Sequence, residues 1–235
     1  MSTPPAGPRL ALMSDSPPGV DVAVVIPCWN HGRLLRAALA SVTAQTVHPA
    51  QVIVVDDGST DATVHVARTH PGVTLARQTH CGAAAARNVG VALADSEFIA
   101  FLDADDLWPP TSLAGRIAAL RESGDDGCFG VVEEFRDPAD EPRPVRPKSH
   151  ARLSGSILVS SDSWARVGTF DPSLAAGEII DWVARFDAAG LTWNVVDEVV
   201  LRRRIHDANT GRQTSTRRDL LEVARRSIAA KRNVS

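Results

Sequence analysis

Cysteine is scarce in this sequence: the three present, Cys28, Cys81 and Cys128, are widely spaced and none forms a CxxC pair. So odd and sparse a set argues against a disulfide framework and a cysteine-built zinc site, and the three read as reduced, half-buried small side chains. Long hydrophobic runs are absent too; no stretch approaches the ~18 apolar residues of a membrane span. Nor is there a basic surplus. Lys and Arg number 25 against 28 Asp and Glu, a formal net charge of −3, whereas nucleic-acid binders usually carry a strong basic excess. The expectation is a chain with no transmembrane segment and no nucleic-acid partner, though a single nucleotide remains an open ligand. The opening stretch, MSTPPAGPRLALMSDSPPG, has one Arg and a very short apolar patch, not the n-region and h-region of a signal peptide. Residues 1–20 therefore read as a disordered Pro/Gly/Ser leader. The expected location is cytoplasmic, with peripheral membrane contact left open.

What is present is enough apolar material for a core. The 235 residues are 44% hydrophobic and 23% charged, which suits one large α/β domain, or one domain with a small appendage. From Asp21 onward the pattern is regular. VAVVI (22–26) and QVIVV (51–55) are unbroken β-branched runs, as strands buried on both faces should be. Between them, residues 32–45 place Leu34, Leu35, Ala38, Leu39 and Val42 on one helical stripe. A helix over 61–69 is expected, capped by Ser59 or Thr60, then a short strand at 73–77 and an Ala-rich helix at 82–94. A central strand follows at 97–102 and a helix at 109–124, with Pro near its start and Gly at its end. Strands alternating with helices imply a parallel sheet with right-handed crossovers. Further on, 128–137 and 154–161 read as strands, the Pro-rich 137–150 as a loop or flap, 177–190 as a helix, and 191–206 as strand-rich. Residues 213–235 contain a basic amphipathic helix. No internal repeat is apparent.

Ligands of open parallel sheets bind beyond the carboxyl ends of the strands, and the polar motifs fall there. Strand 22–26 runs into Pro27-Cys28-Trp29-Asn30, strand 51–55 into Asp56-Asp57-Gly58-Ser59, and strand 97–102 into Asp103-Ala104-Asp105-Asp106. Any one of these alone would be a turn; three converging on one edge make a site. In extended chain, residues two apart face the same side, so Asp103 and Asp105 can point together. Two hard oxygen donors suit Mg²⁺ or Mn²⁺, above all where substrate phosphates complete the shell.

With these motifs on the page, the sequence resembles the family 2 glycosyltransferases of the GT-A fold. The matching segments are VVIPCWN, VIVVDDGSTDAT, GAAAARNVGVALADSEFIAFLDADDLW, VGTFDPSL and RIHDANTG, spread over residues 21–212. The resemblance implies a Rossmann-like, mostly parallel sheet flanked by helices, with a small C-terminal portion on the acceptor side. It also implies a nucleotide-diphosphate-sugar donor of UDP type, bound with Mn²⁺ or Mg²⁺. Position by position, Trp29 matches an aromatic that stacks near the nucleobase, and Pro27, with its neighbour Asn30, lies along the base-binding turn. Asp57, with Asp56 beside it, matches the carboxylate that accepts from the pyrimidine N3–H. Arg87 matches a donor-binding arginine. Asp103 and Asp105 match the metal-binding DxD, Asp105 being the better direct ligand, and His206 matches a late metal or diphosphate contact.

One departure stands out. Many relatives carry adjacent Glu-Asp at the start of the late helix, one carboxylate being the base, where this sequence reads Gly177-Glu178-Ile179-Ile180-Asp181-Trp182. Aligned on Glu178, the second acid is Ile179; aligned on Asp-Trp, it is Asp181. Asp181 is expected as the base, with Glu178 in support, since i and i+3 share a helical face. The implied reaction is inverting displacement by an acceptor hydroxyl. The acceptor's class stays open among a small molecule, a peptide and a glycan end. Two rivals remain: a sugar-phosphate nucleotidyltransferase, which should show a glycine-rich loop where this chain has PCWNHGR, and a non-catalytic nucleotide-binding protein, which the altered Glu-Asp pair keeps open.

Overall fold

The computed structural model describes residues 20–137, 144–174 and 176–206. The leader through residue 19, the Pro-rich segment at 138–143, the DANTG of the last motif and the helix expected within 213–235 lie outside the described residues. The first strands are β1 (Val20–Cys28), β2 (Pro49–Asp56), β3 (Val73–Arg77) and β4 (Phe98–Phe101). Helices α1 (Gly32–Thr43), α2 (Thr63–Thr69) and α3 (Ala83–Ala92) link them, and α4 (Ser112–Ser123) follows β4. Then come β5 (Gly127–Phe135), β6 (Ser149–His150), β7 (Leu158–Ser160), α5 (Ser161–Val167), α6 (Glu178–Ala188) and β8 (Trp193–Arg204). The sheet runs β3-β2-β1-β4-β7-β5-β6, with β8 paired to β5.

The chemistry of β1 explains its central place. Residues Val22–Ile26 are fully buried, and β-branched side chains on both faces suit a strand covered on both sides. Val24 pairs in parallel with Val52 of β2 and with Ala100 of β4. Alternate side chains then go to opposite cores. Val24 and Ile26 pack with Leu35 and Leu39 of α1 and with Leu113 and Ile117 of α4. Val25 packs with Phe101 and with Trp164, Trp182 and Phe186 of the late helices. α3 approaches so closely that a Cβ at Gly90 would meet Val25 Cγ1 at 2.2 Å.

The mixed α/β architecture with a mostly parallel sheet matches the sequence expectation, with local differences. The antiparallel exceptions are β7 and β6, which pair with β4 and β5. The strand expected at 154–161 is a 3₁₀ turn (Ser154–Ser156), the three-residue β7, and then α5, capped by the Ser160 hydroxyl accepting from Ser163 N–H at 3.1 Å. The start of α2 is capped neither by Ser59 nor by Thr60: Asp61 Oδ1 accepts the Thr63 N–H at 2.9 Å. The strand-rich 191–206 is one long strand, whose register against β5 shifts near Gly130 and Val131.

Candidate donor-binding cleft

β1, β2 and β4 end on one sheet edge, and beyond it lies a cleft of about 780 Å³. Pro27, Trp29, Asn30, Asp57, Arg87, Asp103, Asp105 and Glu178 all line it, together with His31, His80 and Ser154, which the sequence reading did not select. The turn after β1 is built for exposure. Asn30 adopts φ 54°, a left-handed conformation that Asn tolerates, and its side-chain oxygen accepts the Thr60 N–H at 2.8 Å. This leaves Trp29 48% exposed, stacked on His80 with ring centroids 4.2 Å apart and planes 23° from parallel. A large aromatic held half in water is an open stacking surface.

Asp56 and Asp57 are both buried. Asp56 fixes the turn, accepting from Ser59 N–H at 3.1 Å and Arg77 Nε at 3.1 Å. Asp57 Oδ1 accepts from Gln78 Nε2 at 2.7 Å and Cys81 N–H at 2.8 Å, while Oδ2 takes the Gly82 N–H at 2.9 Å and pairs with His80 Nδ1 at 2.9 Å. A carboxylate has about four acceptor sites, so protein donors fill those of Asp57. The carboxylate fixes the loop entering α3.

A buried cation stands among the acids. Arg87 is 4% exposed; Nη1 donates to Glu178 Oε1 at 2.7 Å and Nη2 to Asp103 Oδ1 at 2.5 Å. Nε has no partner among the described residues. Burial alone would favour the neutral guanidine, but Asp103 and Glu178 outweigh it and push the Arg87 pKa above its ordinary value. Ser154, carried by the 3₁₀ turn, donates to Asp103 Oδ2 at 3.2 Å. Asp103 thus bonds both Arg87 and Ser154.

Asp105 has other neighbours. His206 Nε2 lies 2.8 Å from Asp105 Oδ2, and one donor atom each of His31, Asp105 and His206 all fall within 4.8 Å of one another. Burial works against ionisation of Asp105, yet the hydrogen bond from His206 and the charges of His31 and His206 hold its carboxyl below the usual range. The loop is anchored to β8: Arg204 N–H donates to Asp106 Oδ1 at 2.8 Å and Arg204 Nε to the Asp105 carbonyl at 2.8 Å. Two imidazoles and a carboxylate are a plausible donor set for a divalent transition metal, so these residues fit the expected cation.

The late helix presents only one of its two early carboxylates to the cleft. Asp181 does not line the cleft: Oδ2 accepts from Arg185 Nε at 2.9 Å, and Arg185 is itself pinned to the Val167 and Thr169 carbonyls at 2.8 Å each. Glu178, one turn earlier, reaches the cleft, and Ile179 lines it beside Glu178. The helix is turned so that its N-terminal residue, Glu178, and not Asp181, lines the cleft.

The thiols also differ in setting. Cys28 and Cys128 are buried, and burial pushes each up to about 12, while Cys81 is exposed and lines the cleft. Since the thiolate is the nucleophile, iodoacetamide at neutral pH should label Cys81 and spare the other two in the folded protein. Peptide mass spectrometry reads the outcome, and labelling of Cys28 before Cys81 would contradict the burial.

The described residues contain no helix long and apolar enough to cross a membrane. A family model described as glycosyl transferase family 2 matches residues 23–170. The uncharacterized glycosyltransferase YibD of Escherichia coli K12 is 32% identical over 152 residues, which are 63% of this chain and 43% of YibD. This chain therefore spans under half the length of that relative. Staphylococcus aureus TarS in complex with UDP-GlcNAc superposes with a TM-score of 0.74 at 18% identity, covering 90% of this chain and 66% of that one. The mannosyltransferase PcManGT from Pyrobaculum calidifontis, in complex with GDP-Man and Mn²⁺, gives 0.63 at 22% identity, covering 82% and 59%. These two likenesses establish a shared GT-A fold. With the family model spanning well over half of the sequence, from within β1 to just past α5, the chain belongs to glycosyl transferase family 2.

Proposed function

We propose that this chain transfers a sugar from a nucleoside-diphosphate sugar to an acceptor hydroxyl, with inversion at the anomeric carbon and a divalent cation at the donor diphosphate. The observation that carries the reading is the composition of one cleft, in which an exposed aromatic plate, a buried guanidinium, His31 and Asp105 line the same space, with His206 bonded to Asp105 from beside it. Trp29 offers its face to the base. A uridine-type donor is proposed because Asp57 lines the cleft and its partner His80, 52% exposed at the side chain, is the donor that a pyrimidine N3–H can displace. The UDP-GlcNAc of TarS supports that class, and the Mn²⁺ of PcManGT supports the cation.

Arg87 is proposed to bind the diphosphate, with Asp103 and Ser154 orienting it. A divalent cation held by Asp105 and His206 supplies Lewis-acid stabilisation to the charge developing on the leaving diphosphate. The acceptor oxygen forms its bond to the anomeric carbon as the carbon–diphosphate bond breaks, the electron pair leaving with the diphosphate. The acceptor proton goes to Glu178, the carboxylate of the late helix that faces the cleft. Nucleotide binding without transfer is a second reading, favoured by one observation: Ile179 stands beside Glu178 where relatives carry an acid. Incubation with UDP- and GDP-sugars and Mn²⁺, with release of the nucleoside diphosphate as the readout, separates them. Tight binding with no release across sugars and acceptors would favour the second.

The stacking role has its own check. Trp29→Ala should weaken UDP binding by about 5- to 150-fold, corresponding to the ~1–3 kcal/mol of a base–aromatic stack. The melting temperature should stay near wild type, because Trp29 is not part of the core. Calorimetric titration of both proteins decides it, and equal affinities would move the base elsewhere.

A further inference from the structure

His31 sits in the turn between β1 and α1, a position the DxD pattern does not mark, yet its imidazole meets two residues from distant parts of the chain. One ring nitrogen lies within 4.8 Å of both a carboxylate oxygen of Asp105 and a ring nitrogen of His206. The two rings are edge to face, with centroids 6.0 Å apart and planes at 86°. We propose that His31 is a third protein ligand of the divalent cation, making a two-imidazole, one-carboxylate site that binds a transition metal before any nucleotide arrives. The inference rests on the cation-dependent transferase reading above and specifies how this chain holds the ion.

Three observations support it. First, the donors are close enough. Metal–nitrogen and metal–oxygen bonds of about 2.0–2.2 Å put opposed ligand atoms of one ion about 4.4 Å apart, so a set already within 4.8 Å needs only small side-chain adjustments. Secondly, the backbones that carry the donors are pinned. Gly32 N–H donates to Asp61 Oδ2 at 3.0 Å, and the His31 carbonyl accepts from Leu34 and Leu35 N–H at 2.9 and 2.8 Å. A Cβ at Gly32 would come within 2.7 Å of the Thr63 nitrogen, so the corner bearing His31 is wedged against the start of α2. On the other side, Arg204 ties the Asp105 loop to the end of β8, which delivers His206. Thirdly, Asp105 Oδ2 and His206 Nε2 already lie 2.8 Å apart, so two of the three donors stand together.

The donor chemistry sets the preference among metals. Mg²⁺ favours oxygen ligands and keeps its waters, whereas imidazole suits later first-row ions. A carboxylate-only site waits for diphosphate oxygens to complete its shell. Two imidazoles and a carboxylate present three ligands without the nucleotide, so Co²⁺ should bind the free protein tightly, Mn²⁺ less tightly and Mg²⁺ only weakly.

The test uses the full chain without nucleotide. Mn²⁺ is titrated and the free ion followed by electron paramagnetic resonance, with Co²⁺ absorption as a second probe. One Mn²⁺ per chain is expected, with Mg²⁺ competing only at much higher concentration. His31→Gln should weaken Mn²⁺ binding by tenfold or more, since even outer-shell partners of ligands are worth about 10–100-fold. His80→Gln, elsewhere in the cleft, should leave Mn²⁺ affinity unchanged, and circular dichroism melts confirm that both variants fold. Unchanged Mn²⁺ affinity in His31→Gln overturns the proposal. So does Mn²⁺ binding that appears only when UDP is present, an outcome that leaves the cation-dependent reading intact. Absence of Mn²⁺ binding even with UDP would remove both.

Discussion

Glu178→Gln should lower the rate of sugar transfer by about 10²–10⁴-fold, the usual contribution of a positioned general base, with little change in donor affinity. Asp181→Asn should leave the rate within a few-fold of wild type. The contrast follows from where the two carboxylates point. Asp181 Oδ2 is engaged by Arg185 at 2.9 Å, and that guanidinium bonds two carbonyls at the end of α5. A base must come within about 2.6–3.2 Å of the proton it takes, or reach it through one water, and from this position Asp181 does neither. Its loss should appear as stability, on the order of 1 kcal/mol for a partly buried ion pair with hydrogen bonds behind it. Single-turnover measurements with saturating donor isolate the chemical step. A collapse in Asp181→Asn with Glu178→Gln active would reverse the roles. Full activity in both would send the proton elsewhere, for instance to water.

That assignment also marks how far sequence reaches. The buried strands were legible because unbroken β-branched runs have few other uses, and motifs at their ends fall on one sheet edge as a matter of topology. Helix rotation was not legible. Glu178 and Asp181 share a helical face by spacing, but which of them meets the cleft depends on how α6 seats Trp182 and Phe186 in the core beside Trp164 and Phe170. His80 and Ser154 were missed for a similar reason: each reaches the cleft from a loop whose placement depends on long-range contacts. Local chemistry misled at 154–161. There the Ser156 hydroxyl accepts the Leu153 N–H at 2.9 Å and donates to the Ala151 carbonyl at 2.5 Å, so side chain and backbone close a turn in place of a ladder. His31 was in plain view beside Trp29, but a lone histidine carries little signal until Asp105 and His206 arrive from elsewhere in the chain.

Arg87→Ala should be the most costly single change in the cleft, in stability as well as in catalysis. The guanidinium joins α3 to α6 through Glu178, 91 residues away in sequence, and joins α3 to the β4 loop through Asp103. Removing it leaves two carboxylates facing each other with their shared cation gone. Breaking a buried ion pair by deleting one partner costs about 3–5 kcal/mol. The lower end applies here, because Asp103 is 33% exposed at the side chain and keeps some water. For a domain of this size about 3 kcal/mol corresponds to a fall of roughly 6–12 °C in melting temperature. Arg87→Lys should recover only part of it, since one ammonium cannot reproduce a fork that reaches two carboxylates. The double variant Arg87→Ala, Glu178→Gln supplies the sharper measurement. If the cost arises from uncompensated charge, neutralising Glu178 in the Arg87→Ala background should restore part of the melting temperature, whereas a loss due to packing alone should not respond. Transfer should stay abolished in the double variant, because the proposed diphosphate ligand and the proposed base are both gone. A melting temperature for Arg87→Ala equal to that of wild type would mean that the ion-pair hub does not hold the cleft together, and α6 would then have to be positioned by its apolar face alone.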